Sequence, residues 1–401
     1  MLAALGGFAM SCGTGEDPSQ GGSIVVVPLA VTSNAGYTQA FALGPVADYA
    51  AWGGTFVRLR FDGSGASFGG TFANGEGTLD FGVDPNDGSV WWTGAANGGC
   101  DGAGQTIGLW TSSDASFLAS AAASPVAQSC VATGTTTSSG GGVGVFGIAV
   151  DTRWVILAVG SVPQEISANV GSPDEPQWPG PTPLLTPGSS ASLLRFDRQN
   201  PSTPMASLGG VTRVADAVTF HLLAQNTAEV YWLDASGTGD DRVMRATKEP
   251  WTSGQVLGTA QAGTLTGLAA DDDYAVWTVS GPPTEGATGC TVFASRADGA
   301  PVRIYDGHAA SFLCWGAAVD STYAYFTTTQ VDQFQDNSTS SQVSMEGVGI
   351  GRVPLAGGPP QFVSLASPRW YGPRRLKVDS GYVYAIDPSF VARIDKSAFG
   401  S

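Results

Sequence analysis

Lysine is almost missing: Lys248, Lys377 and Lys396 are the only three in 401 residues, and the formal net charge is −16. Binding to nucleic acid is largely cation neutralisation of phosphate, so this balance argues against nucleic acid and anionic membrane surfaces as partners. Histidine is scarcer still, with only His221 and His308. Neither histidine heads an H-E-x-x-H, and the chain has no Gly-Lys pair for a phosphate loop. No C-x-x-C pair or nearby histidine completes a metal ligand set. The residues therefore point to no metal, no cofactor and no catalytic set. No uninterrupted apolar run reaches the roughly 18 to 20 residues that cross a bilayer, and no segment carries a sustained helical apolar period.

Turn formers and short β-branched or aromatic runs are abundant, with 56 glycines and 24 prolines. Phe146 to Gly160, FGIAVDTRWVILAVG, has two apolar runs joined at Asp151-Thr152-Arg153, which reads as a pair of strands. The unit recurs as TLDFGVDPNDGSVWWTG (78–94), LTGLAADDDYAVWTVSG (265–281), WGAAVDSTYAYFTTT (315–329) and LKVDSGYVYAID (376–387). FALGPVADYAAWGG (41–54) and FHLLAQNTAEVYWLD (220–234) are degenerate copies. A third strand follows each copy: FVRLRFDGSG, TIGLWTSSD, SLLRFDRQN, RVMRATKE, TVFASRADG, GIGRVPLAGG and FVARIDKS. Four-stranded modules at this spacing bury their faces against neighbours, the arrangement of a propeller.

The last module stops after its third strand, while SIVVVPLA (23–30) is a strand without a module. Placing it beside Phe390 to Lys396 completes the set and removes an exposed edge. The expected fold is all-β, a seven-bladed β-propeller closed by the N-terminal strand, forming one domain over 22–401. The sequence GIAVD, then VYWLD or VWTV, then a basic third strand with an Asp-Gly turn is similar to YWTD- and NHL-type β-propeller repeats, which implies the same fold and leaves the function open.

Residues 1–21 form a separate segment. MLAALGGFAMSC resembles the end of a bacterial lipoprotein signal, with Ala9-Met10-Ser11 before Cys12, and a polar tether follows. An ordinary secretory leader and a chance apolar start are the alternatives. Acylation of Cys12 would make the chain a periplasmic, outer-membrane or cell-surface protein, and a leader without it a secreted one. Cys100, Cys130, Cys290 and Cys314 allow three pairings. The repeat selects Cys100 with Cys130 and Cys290 with Cys314, each pair set just before a third strand and in the connection to the next module. Such bridges belong to an oxidising compartment; four buried free thiols in a cytoplasmic propeller are the alternative.

The recurring acids Asp84, Asp151, Asp271, Asp320 and Asp379 each close a first strand, where a carboxylate accepts turn N–H groups. Asp234 to Asp241, DASGTGDD, alternates oxygen donors without the distal Glu of a calcium loop, and reads as a solvated hairpin end. His221 alternates with apolar neighbours and reads as a packing residue. The two long second-to-third connections, 161–190 and 330–347, open on the same end of the modules as the links between modules. On that end SPRWYGPRR concentrates Arg369, Trp370, Tyr371, Arg374 and Arg375. This set could stack on a sugar or fork onto a carboxylate, or its arginines could pair with the chain's own acids. Trp315, Trp178 and His308 are weaker binding candidates on the same end.

The reading is a non-catalytic extracytoplasmic module, monomeric or one subunit of an assembly, that recognises a protein, glycan or polymer through its loop-bearing end. A lyase or lactonase-like enzyme using His308 and rim carboxylates is one alternative, since streptogramin lyases are seven-bladed propellers. A structural lipoprotein subunit of an envelope assembly is the other.

Overall fold

The computed structural model describes residues 24–28, 40–44, 48–52, 55–60, 65–71, 81–95, 104–113, 125–132, 142–162, 191–208, 223–234, 241–260, 264–280, 289–296, 299–307, 312–331, 345–365, 375–387 and 390–400. Among them the regular structure is β-strand apart from one short 3-10 helix, Lys396–Phe399. The strands form seven four-stranded antiparallel sheets. In chain order the first six span 40–71, 81–132, 142–208, 223–259, 264–306 and 312–364, and in each of them sequence neighbours pair. The seventh joins three strands from 375–395 to Ile24–Pro28.

That last pairing is the one the unmatched N-terminal strand predicts: Ile24 faces Ile394 and Pro28 faces Phe390. Strand 24–28 also touches strand 65–71, the fourth of the first sheet. From the first sheet through the seventh, the first strands of consecutive sheets lie beside one another. Antiparallel succession puts first-to-second and third-to-fourth turns at one end of every sheet. Second-to-third connections and the links between sheets lie at the other end.

The sheets are stacked face to face, because each apolar cluster draws on consecutive sheets. One joins the second and third sheets through Trp91, Leu109, Val145 and Phe196, and another joins the third to fifth through Ile156, Trp232 and Trp277. A third joins the fifth and sixth through Val292, Cys314 and Phe326, and a fourth joins the sixth and seventh through Tyr325, Ile350 and Phe399. Fully buried Trp92, Trp232 and Trp277 all lie on second strands, which explains the aromatic character of that run in the repeat: a ring there fills the space between two sheets. First strands carry a register shift at Val145/Gly147, Leu265/Gly267 and Trp315/Ala317, the bend expected of a bulge. A side chain at Gly267 would lie 2.4 Å from the backbone of Gly316, so these neighbouring first strands require glycine to approach.

The cysteines correct one expectation. Cys130 is in the fourth strand of the second sheet, Ala127–Ala132, opposite Thr106, and is not in a connection. Cys314 is in the first strand of the sixth sheet, Phe312–Val319, which starts before the WGAAV run and draws FLC into the ladder. One cysteine is therefore exposed on an outer strand and the other buried on an inner one, so their places do not match. Cys290 and Cys314 are bridged as expected. Cys130 is also held in a disulfide, with its partner outside the described residues. Cys12 and Cys100 lie outside them too.

Candidate functional site

The turn between first and second strands is the best-defined repeated feature. Asp151 Oδ1 accepts from the N–H groups of Arg153 (2.7 Å) and Trp154 (2.6 Å). Asp271 does the same for Asp273 and Tyr274, Asp320 for Thr322 and Tyr323, and Asp379 for Gly381 and Tyr382. Asp84 Oδ1 accepts from Asn86 N, and in the fourth sheet Asn226 takes the role for Ala228 and Glu229. These acids cap turns, as their position at the end of a first strand implies.

The second carboxylate oxygen forms a link that the sequence reading missed. Asp84 Oδ2 meets Arg198 of the third sheet, Asp151 Oδ2 meets Lys248 of the fourth, and Asp320 Oδ2 meets Lys396 of the seventh at 2.6 Å. Each cation is the residue that follows a third strand. Its backbone N–H is fixed by the first-to-second turn of its own sheet: Arg198 N to Arg153 O, Lys248 N to Ala228 O, Lys396 N to Gly381 O. The pairs therefore clamp consecutive sheets together at the tight-turn end. Lys248 is only 1% exposed and also donates to Asn226 O, so its charge is compensated where water cannot reach it.

Third-strand arginines reinforce the clamp. Arg195 stacks 4.1 Å from the Trp154 ring and donates to Lys248 O in the next sheet. Arg352 stacks 4.4 Å from Tyr323 and donates to Lys396 O and Gly400 O. The basic character of the third strand thus serves stacking and contact with the next sheet. The available signal was the lysine shortage itself, since two of the three lysines stand directly after a third strand.

Burial pulls the Asp320 carboxyl upward, but bonds from Lys396, from the Thr322 and Tyr323 N–H groups and from the Tyr325 hydroxyl outweigh it and hold the acid below its ordinary range. Among the described residues Asp271 has no such cation, and burial pushes it up. The position corresponding to Lys248 is Leu355, whose N–H bonds Thr322 O. Leu355 packs with Val276, Val292 and Phe326 between the fifth and sixth sheets. Cys290 and Cys314, both fully buried, bridge the same two sheets. Ser280 Oγ donates to Cys314 O at 2.6 Å and lies 2.9 Å from Cys314 N, whose N–H it accepts.

Among the binding candidates, Trp315 is half-buried and packs against the cluster of the third to fifth sheets, with Thr327 Oγ1 donating to its carbonyl. Arg375 is buried at the start of a first strand. Trp178, Arg369, Trp370, Tyr371, Arg374, His308 and His221 lie outside the described residues. Of the DASGTGDD stretch, Asp234 is buried at the end of a second strand opposite Arg242, and 235–240 lie outside. Among the described residues no group of three His, Cys, Asp or Glu could hold a metal ion, and no helix is long and apolar enough to cross a membrane.

No family model and no curated protein matches the chain. Solved structures similar to it include a chain of a mitotic checkpoint complex (10% identity, 98% of each chain, TM-score 0.49). A Pyrococcus horikoshii acylaminoacyl peptidase gives 9% identity over 90% of this chain, TM-score 0.47; the chain spans about half of that protein's length, 52%. Cobalt-substituted Synechocystis ACO gives 9% identity over 82% of this chain and 71% of its own, TM-score 0.45. At this level of likeness the chain takes no function from any of them: it is an all-β protein of stacked four-stranded sheets whose best-defined contacts join one sheet to the next.

Proposed function

We propose that the seven sheets are the blades of a closed propeller, with strand 24–28 completing the last blade, and that it works as a non-catalytic binding module. Its ligand is a protein, glycan or polymer, met at the end that carries the second-to-third connections and the links between sheets. The observation that carries this reading is the difference between the two ends. First-to-second turns are three residues long at 151–153, 226–228, 271–273, 320–322 and 379–381, against 43–47 and 84–89 in the first two sheets, and Asp151 and Asp320 are engaged in both capping and clamping. Second-to-third connections run from 388–389 in the seventh sheet to 163–190 in the third. Variable segments on a repeated scaffold are where recognition residues are carried.

The Cys290–Cys314 bridge supports an oxidising, extracytoplasmic compartment, with Cys12 as the residue that would carry a lipid. The test is a glycan array and a pull-down with the full chain and an Arg369→Ala, Trp370→Ala, Arg374→Ala variant. The variant should lose at least tenfold in binding; equal binding by both proteins would remove the rim site.

A second reading, a subunit of an envelope assembly, is favoured by the exposed apolar side chains. Ile24, Val26, Val256, Val302 and Phe362 are all on outermost strands, and Val126 immediately precedes one. Light scattering over a concentration series separates the two: self-association abolished by Val302→Lys and Phe362→Lys would favour assembly.

A further inference from the structure

We propose that the contact between the fifth and sixth sheets is a redox-conditional joint, in which the Cys290–Cys314 bridge replaces the ion pair that clamps neighbouring sheets elsewhere. The comparison is position for position. Asp84, Asp151 and Asp320 each meet a cation that follows a third strand of the next sheet. Asp271 occupies the same place, with the same two capping bonds. Opposite it the next sheet offers Leu355, 8% exposed and fixed to Thr322 O as Lys248 is to Ala228 O. An apolar side chain gives the carboxylate no charge to pair with. The bridge crosses the same two sheets at their opposite end, from the start of one third strand, where the second-to-third connection enters, to the neighbouring first strand.

Reduction by a dithiol breaks the S–S bond: two electrons and two protons give two thiols, and the reductant leaves as its own disulfide. Both sulfurs are buried, so attack requires the joint to open first, after which nothing equivalent to the ion pair among the described residues holds it shut. An oxidised chain is closed at this joint, and a reduced one opens there before the other clamped joints.

The test is hydrogen exchange on full-length Cys290→Ala/Cys314→Ala. Strands 290–296 and 312–319 should lose about a hundredfold in protection, the scale of a bridge closing a loop of this size, while 191–197 and 242–247 keep theirs. Adding Leu355→Lys should restore about tenfold of the loss, as expected of a partly buried ion pair, and adding Asp271→Asn should cancel that rescue. Uniform loss across all sheets would overturn the proposal, as would a rescue that survives Asp271→Asn. If the double variant fails to fold, recovery of folding by Leu355→Lys supports it, and failure with that change as well counts against it.

Discussion

The joint between the third and fourth sheets and the joint between the fifth and sixth are built on the same turn and closed by different chemistry. At the first, Asp151 caps its turn with one oxygen and holds the buried Lys248 with the other, and Arg195 stacks on Trp154 and reaches Lys248 O. At the second, Asp271 caps the same turn, Leu355 stands in the cation's place, and a disulfide ties the two sheets at their other end. A repeat therefore conserves its backbone hydrogen bonds while the closing interaction varies. The turn needs a short acceptor at one fixed position, whereas the face between sheets needs only something that compensates whatever is buried there.

The largest expected effect breaks the symmetry of the two aspartates. Asp151→Asn keeps the capping oxygen but leaves Lys248 buried without a counter-charge, and should cost about 3 kcal/mol in urea unfolding. Asp271→Asn removes a charge that meets no cation among the described residues and should stay within about 0.5 kcal/mol of wild type. Equal losses from the two would mean that capping alone matters.

A third joint ranks between them. Lys396 and Asp320 are each about one-fifth exposed, so Lys396→Met should cost about 1–2 kcal/mol in the same measurement.

Acid titration sharpens the contrast further. Asp48 is pushed up to about 6, chiefly by burial and further by the nearby Asp379, while the Gly44 backbone and Arg393 pull against it. Asp271 is also raised, again chiefly by burial. A raised carboxyl disfavours its charged folded form, so both contributions increase stability as pH falls from neutral towards 4. Asp320 works oppositely: its contribution is present above the ordinary aspartate range and is lost as pH falls through its depressed folded value. The melting temperature should therefore rise by a few degrees between pH 7 and about 4.5 and fall below that. Asp48→Asn should flatten the rise.

The smallest effect belongs to Arg153, whose pair with Glu249 is well exposed and whose contact with Asp197 is long, at 3.8 Å. Arg153→Ala should cost under about 1 kcal/mol in unfolding and less in high salt.

Much of the fold was legible because it is local. An apolar run, an aspartate turn and an aromatic run specify two paired strands within about fifteen residues, and the recurrence gave seven sets of strands. The missing fourth strand after FVARIDK sent SIVVVPLA to the seventh sheet, where it is found. The bridge Cys290–Cys314 was legible from the repeat, but its surroundings were not. A repeat register fixes which module a cysteine belongs to, and the ladder's own extension decides whether it joins a strand. Of the proposed binding end, Trp315 lies among the described residues and its ring packs against the core; the Arg369 to Arg374 cluster is still carried by the sequence alone.

By itself the sequence determined the strand repeats, the turn-capping aspartates and the assignment of the leading strand to the last sheet. These follow from backbone pairing and from side chains a few positions apart. Only the tertiary structure decided which cation meets which aspartate, because the partners are 114, 97 and 76 residues apart. Such pairs form when stacked sheets bring the end of one third strand onto the neighbour's turn, and no local pattern records that meeting.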